Sequence, residues 1–376
     1  MNPKISVIGQ VYPWKGGISH YNSMLCNELA KISDLQVISF TRIFPKFLYP
    51  GQSQKDEASP NFFHGRAEFI LDMVNPLTWW RTARHIQKFK PQFIFFHWYT
   101  PILAIPFWFT LRLAKWWSGA KVVAVIHNVL PHERRFFDRW LTSLVFRLVD
   151  IFIAQSEKDQ EELRRWAPWA SAKAMFHPIY ELFQQNISPE AARVELGVNG
   201  NVILFFGAIR DYKGLDYLLE AMPEILKKIP TTLVIAGEVF GSIQPLMEKI
   251  NSLGIKNAVR LHSHYISNQE VAKFFAAADA VVSPYVSGTQ SGVITIAYSF
   301  NKPVIATDVG GFREMVFSDT GYLVESKNSQ ALAEAIVKFF VEKDRSRFAK
   351  GIENIRRRFS WEVLREKIKI EILANP

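Results

Sequence analysis

The sequence predicts an α/β fold of two Rossmann-like, doubly wound domains facing across a cleft. Three observations carry that expectation. At 376 residues the chain is too long for one comfortable core. Short β-rich runs alternate with segments of helical periodicity, the mark of a parallel sheet covered on both faces. A strand–glycine–helix opening occurs twice, at KISVIGQVYPWKGG near the start and at NVILFFGAIRDYKG past residue 200. Ligands in such folds sit at the carboxyl ends of the strands.

In the first half, Lys4–Gln10 reads as a strand. After VYPWKGG, the residues Ile18, Tyr21, Met24, Leu25, Leu29 and Ile32 recur at three-to-four spacing and make one apolar helix face. Gly16 and Gly17 let a backbone come close to a ligand, but no GxGxxG follows, so the dinucleotide fingerprint is absent. Further strands are expected at Leu35–Phe40, Phe93–His97, Lys121–His127 and Asp150–Gln155. Residues 42–66, with Pro, Gly, Ser and Asn, read as a long surface loop. The apolar block Pro101–Trp117 is interrupted by Arg112 and Lys115, and what precedes them is too short to span a bilayer. It is expected to be a buried or interfacial helix. His127 closes the run VVAVIH, where a polar residue points into the crevice of such a sheet. A hydrogen-bonded core histidine is the competing reading, and with His132 and Glu133 close by the two stand level. His97, near the end of FIFFHW, is a second candidate.

The broken segment 177–201 reads as a linker. It divides a domain of residues 1–195, completed by a C-terminal helix over 362–376, from a second domain of residues 196–361. Asn201–Phe206 is a strand, followed by a helix with Leu215, Leu218, Leu219, Met222, Ile225 and Leu226 on one face. Arg210 and Lys213 sit in the turn between them, just after Gly207. Two cations at a sheet's carboxyl edge beside a helix N-terminus suit a diphosphate; solvated loop charges are the alternative. Thr231–Gly237 is the next strand, with Glu238 at its end, and Val259–His262 another. The stretch Tyr285–Gly311 reads as loop, helix, buried strand and Gly-Gly turn. Gly288, Thr289, Gln290, Ser291 and Gly292 lead into the apolar run Val293, Ile294, Ile296 and Ala297. A helix opening on such residues offers N–H groups and a positive dipole end to a phosphate. Residues 329–341 and 362–373 are expected to be helices.

Composition narrows the classes. Apolar content of 48% and charge of 21% are those of a globular chain. The single Cys26 excludes an internal disulfide framework and a thiolate metal cluster, which fits a reducing, cytoplasmic setting. Residues 1–9 read as a first strand and not as a signal peptide. Of the net charge of +10, residues 1–195 carry +7, from 23 Lys and Arg against 16 Asp and Glu. The segments TWWRTARHIQKFK and LRLAKWWSGAK join cations to aromatics, which suits peripheral contact with anionic headgroups at the inner face of a membrane. No helix-turn-helix, zinc-finger or RNP-type signature is present, so nucleic acid is ranked below lipid.

Taken together, GAIRDYKGLDYLLEA, LVIAGE, AAADAVVSPY, KPVIATDVGGFREMV and GYLV resemble, in order and spacing, the donor-binding half of family 4 retaining glycosyltransferases with the GT-B fold. The resemblance is strong over residues 200–340 and weaker before, where Gly16, Gly17 and His127 match the family's glycine turn and active-site histidine. It implies that Arg210 and Lys213 neutralise a donor diphosphate and that Gly16 and Gly17 lie near it from the other domain. It also implies that His127 sits at the sugar and that Thr289–Val293 hold phosphate and sugar hydroxyls. One departure stands out. The family usually carries two Glu separated by seven residues, and these positions fall on Gly288 and Ile296 here. A variant loop reading TQSGV, with Gln290 and Ser291 taking part of the acid's work, accommodates the difference.

The expected activity is transfer of a hexose from a nucleotide diphosphate sugar to a glycan or lipid-linked acceptor, with retention. UDP-glucose is the first choice of donor on prevalence alone. The resemblance implies no metal and no cofactor beyond the donor. Two other classes stay open: a sugar-nucleotide epimerase, and a non-catalytic nucleotide-sugar-binding protein.

Overall fold

Apolar runs such as FIFF and VVAV become strands buried on both faces, as a parallel sheet between helical layers requires. The computed structural model describes residues 2–43, 54–56, 61–130, 136–185, 187–239, 241–342 and 345–374. The chain divides into two units. One comprises Met1–Glu57, Asn61–Phe176 and Trp361–Pro376, the other Ala58–Pro60 and His177–Ser360.

In the first unit the elements run β1 (Lys4–Ile8), α1 (Gly17–Leu29), β2 (Asp34–Arg42), β3 (Ala67–Asp72), α2 (Pro76–Phe89), β4 (Phe93–Trp98), α3 (Ala104–Ser118), β5 (Lys121–Ile126), α4 (Asp138–Phe146), β6 (Ile151–Ala154), α5 (Glu157–Trp166) and β7 (Ser171–Ala174). The sheet is parallel throughout in the order β3-β2-β1-β4-β5-β6-β7, so the order reverses between β1 and β4. Ile8, Phe96, Trp98, Phe107, Phe146 and Phe152 form its core. Local chemistry sets the helix ends. Asn75 accepts the N–H of Leu77 at the start of α2, Pro76 occupies its first position, and Lys90 ends it in the left-handed region at φ 55°. Helices α2 and α3 pack together, with the rings of Trp79 and Phe109 5.9 Å apart. No helix among the described residues is long and apolar enough to cross a membrane.

The second unit runs α6 (Pro189–Leu196), β8 (Asn201–Phe206), α7 (Leu215–Lys228), β9 (Thr231–Ala236), α8 (Gln244–Ser252), β10 (Val259–His262), α9 (Val271–Ala277), β11 (Ala280–Ser283), α10 (Gly292–Ser299), β12 (Val304–Thr307), β13 (Gly321–Val324), α11 (Ser329–Val341) and α12 (Ser346–Arg358). Its parallel sheet has the order β10-β9-β8-β11-β12-β13 and reverses between β8 and β11. Helix α13 (Trp361–Ile368), continued by a π-helical turn over Lys369–Leu373, belongs to the first unit. There the Trp361 ring meets Tyr21 edge-on at 5.3 Å and Arg365 bonds Glu28 at 2.7 Å.

Several boundaries differ from the expectation. The units part between Phe176 and His177, not at 195/196, and the segment read as a linker packs onto the second unit. Ser188–Pro189 and Gly197, which look like breakers, are the cap, first turn and left-handed end of α6. Arg193 on that helix bonds the Ala277 carbonyl and Asp279. Strands β3 and β7 escape detection because they are edge strands with few buried side chains and little periodic signal. Of the expected loop 42–66, residues 44–53 and 57–60 lie outside the described residues, as do His132 and Glu133. Residues 54–56 run against the glycine turn, where Gln54 accepts the N–H of Lys15 at 2.9 Å.

Candidate active site

The second unit concentrates its site at the carboxyl ends of β8 and β11, where the strand order reverses. Gly207 leaves β8 at φ +100°, a conformation that side chains rarely adopt, and its N–H binds the Ala236 carbonyl at 2.8 Å. A Cβ there would stand 2.6 Å from Lys213 Nζ and 3.7 Å from Val293. Glycine at 207 thus brings three expected site residues together. Asp211–Lys213 form one helical turn, and Gly214, at φ +67°, lets the backbone close on Pro284, whose carbonyl a Cβ would meet at 2.0 Å. The Tyr212 carbonyl takes the N–H of Val286 at 2.7 Å. The turn after β8 and the loop after β11 are therefore one structure.

Lys213 is 8% exposed, whereas Arg210 is on the surface. Burial lowers the ammonium pKa, Tyr212 opposes that shift and the neighbouring Arg210 adds to it. The ammonium lies 5.5 Å from the centre of the Tyr285 ring, whose hydroxyl burial pushes up to about 12. A desolvated cation beside a neutral ring is held ready for an anion. Glu238 contributes its backbone, since its carbonyl binds the N–H of Ile209 at 2.9 Å.

Helix α10 opens at Ser291 without a side-chain cap, and the Ser291 carbonyl takes the N–H groups of Ile294 and Thr295. The N–H groups of Gly292 and Val293 fall in the first turn of α10, where a helix has no intrahelical acceptor for them, the kind of donor that suits phosphate oxygens. The preceding loop is pinned by Gly311, which donates to the Thr289 carbonyl at 2.8 Å. It is pressed against Gly310, where a Cβ would meet the Gly288 carbonyl at 1.8 Å. Thr289 and Gln290 are half-buried and Ser291 is buried. Of the two expected acid positions, Ile296 is buried at 8% on α10, and Gly288 lies against Tyr285 and Phe312. Both apolar outcomes follow from packing.

In the first unit, Gly16 is the N-cap of α1 at φ +99°. A Cβ added at Gly16 or at Gly17 would meet no atom within 4 Å, so both offer exposed backbone. His127 follows β5, and its N–H binds the Trp98 carbonyl at 2.9 Å. Both its ring nitrogens are engaged within the unit: Nε2 with His97 Nδ1 at 2.9 Å and Nδ1 with Gln155 Nε2 at 3.1 Å. Gln155, not singled out from sequence, carried the same signal as His127, a polar residue closing an apolar strand. Among the described residues, no group of three or more His, Cys, Asp or Glu is placed to hold a metal.

Two doubly wound, parallel-sheet units are the architecture of the GT-B class. Two family profiles match the chain in tandem, Glycosyltransferase Family 4 over residues 15–175 and Glycosyl transferases group 1 over residues 200–341. The chain belongs to the family 4 type of glycosyltransferase. It is 29% identical over 175 residues to a D-inositol 3-phosphate glycosyltransferase of Xylanimonas cellulosilytica, covering 45% of this chain and 41% of that one. It is 26% identical over 192 residues to a GDP-mannose:glycolipid 4-beta-D-mannosyltransferase of Xanthomonas campestris pv. campestris, covering 50% of each. The chain thus spans half or less of the length of these curated relatives. The crystal structure of Anabaena HepE in complex with UDP-glucose superposes with a TM-score of 0.78 at 19% identity, covering 100% of both chains. That likeness establishes the two-domain GT-B fold.

Proposed function

We propose that this protein is a retaining glycosyltransferase that moves a hexose from a nucleotide diphosphate sugar to a glycan or lipid-linked acceptor. The observation that carries this reading is the buried Lys213 ammonium set between Gly207 and the start of α10. Breaking the anomeric bond leaves negative charge on the diphosphate, and preorganised donors aimed at that charge are the largest single source of rate in such a step. Lys213 and the N–H groups of Gly292 and Val293 supply them, with Arg210 at the mouth of the turn. His127, Gly16 and Gly17 are the first unit's own candidates for sugar and phosphate contacts. The loop Thr289–Val293 holds phosphate and sugar hydroxyls, with Gln290 and Ser291 taking part of the work of the family's acid. UDP-glucose is the proposed donor, supported by its presence in the HepE complex. A glycolipid acceptor is supported by the Xanthomonas relative's name.

Peripheral contact with an anionic membrane accompanies that acceptor. Residues 73–132 contain no Asp or Glu at all. On α2 and α3, Leu77, Trp80, Ile105 and Trp116 are exposed, and Arg84 lies over the rings of both Trp80 and Trp117 at 5.6 and 5.9 Å. Rings at the boundary with cations among them match headgroup phosphates.

The test is a panel of nucleotide sugars, reading released UDP or GDP with and without a membrane extract. Acceptor-dependent release of UDP from UDP-glucose supports the proposal. A sugar product formed without acceptor indicates an epimerase, and UDP binding with no turnover of any donor indicates a binding protein; either result overturns it.

A further inference from the structure

The segment read from sequence as a linker begins with a short run, residues 177–184, whose contacts reach both ends of α10. At the start of the helix, a Cβ added to Gly292 would stand 3.5 Å from Cε2 of Tyr180, an ordinary contact distance. The Tyr180 ring therefore covers the side on which Gly292 carries no side chain. At the other end, Gln184 Nε2 donates to the Ser299 carbonyl at 2.6 Å, one of the last-turn carbonyls that a helix leaves without an intrahelical donor. Arg356 of α12 bonds both Glu181, at 2.9 Å, and Asn301, at 3.2 Å, just past the end of α10. The run is itself fastened. Ile179 donates its N–H to the Phe359 carbonyl at 2.9 Å, and the Tyr180 ring meets His177 and Phe183 edge-on at 5.2 and 6.4 Å. Tyr180 is 2% exposed, so its ring is closed in by close-packed neighbours and has little freedom to shift. All of these residues belong to the second unit.

We infer that Tyr180 is a positioning residue whose ring fixes the first turn of α10, and with it the N–H groups of Gly292 and Val293. The inference rests on the reading that this turn, with Lys213, takes the donor diphosphate. Glycine at 292 gives the helix start no side chain with which to anchor itself, and Ser291 supplies no side-chain cap. Such a start needs a wall from outside, and Tyr180 provides it. Amide donors stabilise a leaving charge when they are placed beforehand, and a misplacement of about 1 Å can cost on the order of a hundredfold in rate. The bonds of Gln184 and Arg356 at the far end hold α10 against the same run, so the helix is gripped along its length.

The test uses the full chain and reads UDP affinity by calorimetry beside Tm. Tyr180→Ala should weaken UDP binding about tenfold, whereas Tyr180→Phe, which keeps the ring, stays within about twofold of the wild type. Tyr180→Leu keeps the core filled but withdraws the ring edge, and it should weaken UDP about threefold even if the alanine variant fails to fold. Phe339→Ala opens a cavity in the same unit's core on α11, so it should lower Tm without weakening UDP. That contrast separates positioning from general destabilisation. Wild-type UDP affinity in Tyr180→Leu overturns the inference, as does an equal loss in Tyr180→Phe or in Phe339→Ala. Lys213→Met with full UDP affinity sinks the diphosphate reading of this turn instead. Loss of UDP in Lys213→Met with none in the Tyr180 variants overturns the inference alone.

Discussion

Lys213 and Arg210 stand three residues apart in one turn, and their environments make them unlike. Arg210 is solvated, whereas Lys213 carries its charge out of water. Its pKa is lowered on folding, chiefly by burial, so the folded chain binds this proton less readily than the unfolded chain. The stability cost is therefore full below the lowered folded pKa and fades as pH rises from there toward the unfolded value. Lys213→Met should raise the Tm of the ligand-free protein at neutral pH by roughly 2–4 °C, the shift that about 1 kcal/mol gives a unit of this size. The same variant should lose the stabilisation that UDP confers. Thermal unfolding with and without UDP checks both halves, and a lowered Tm with the UDP shift intact would count against the assigned role. The spacing of the two cations was plain in the sequence. Their difference was not, because burial of Lys213 depends on Tyr285 and Val293, which lie far along the chain.

At the scale of elements, the α2–α3 pair carries the proposed membrane contact of the first unit. The sequence showed the aromatic and basic residues, but only the tertiary structure sets Trp79 against Phe109 and brings Arg84 of α2 over Trp117 of α3. Each cation near an anionic surface contributes about 1 kcal/mol. Arg81→Gln combined with Arg112→Gln should therefore weaken binding to vesicles of equal parts phosphatidylglycerol and phosphatidylcholine roughly 25-fold. Trp80→Ser with Trp116→Ser should weaken it as well. Cosedimentation reads the result, and equal wild-type binding to pure phosphatidylcholine would refute the electrostatic part of the contact. Elements were legible where their periodic signal was strong, as in α1, α7 and α11. They were missed where the chain was short and half-exposed, as in β3 and β7. Pro189 and Gly197 misled because the same residues break helices and bound them.

At the scale of the whole molecule, the chain leaves the first unit at Phe176 and returns to it at Trp361. The return is tied by Trp361 on Tyr21 and by Arg365 on the buried Glu28. Truncation after Ser360 removes a buried Trp, a partner of a buried carboxylate and the buried Leu364, Ile368 and Ile372, so it should cost the first unit at least about 5 kcal/mol. The urea midpoint of the first-unit transition measures this, and an unchanged midpoint would show that α13 contributes nothing to that core.

By itself the sequence determined the two alternating β/α halves, the glycine turns after β1 and β8, and the position of a cationic turn before α7. Those are local properties, written in periodicity and in residues with restricted or permissive backbones. The tertiary structure alone decided which cation is buried, that α6 joins the second unit, and that His97, His127 and Gln155 share one hydrogen-bonded chain. Burial and side-chain pairing depend on strand order, and strand order brings together residues that no local pattern connects.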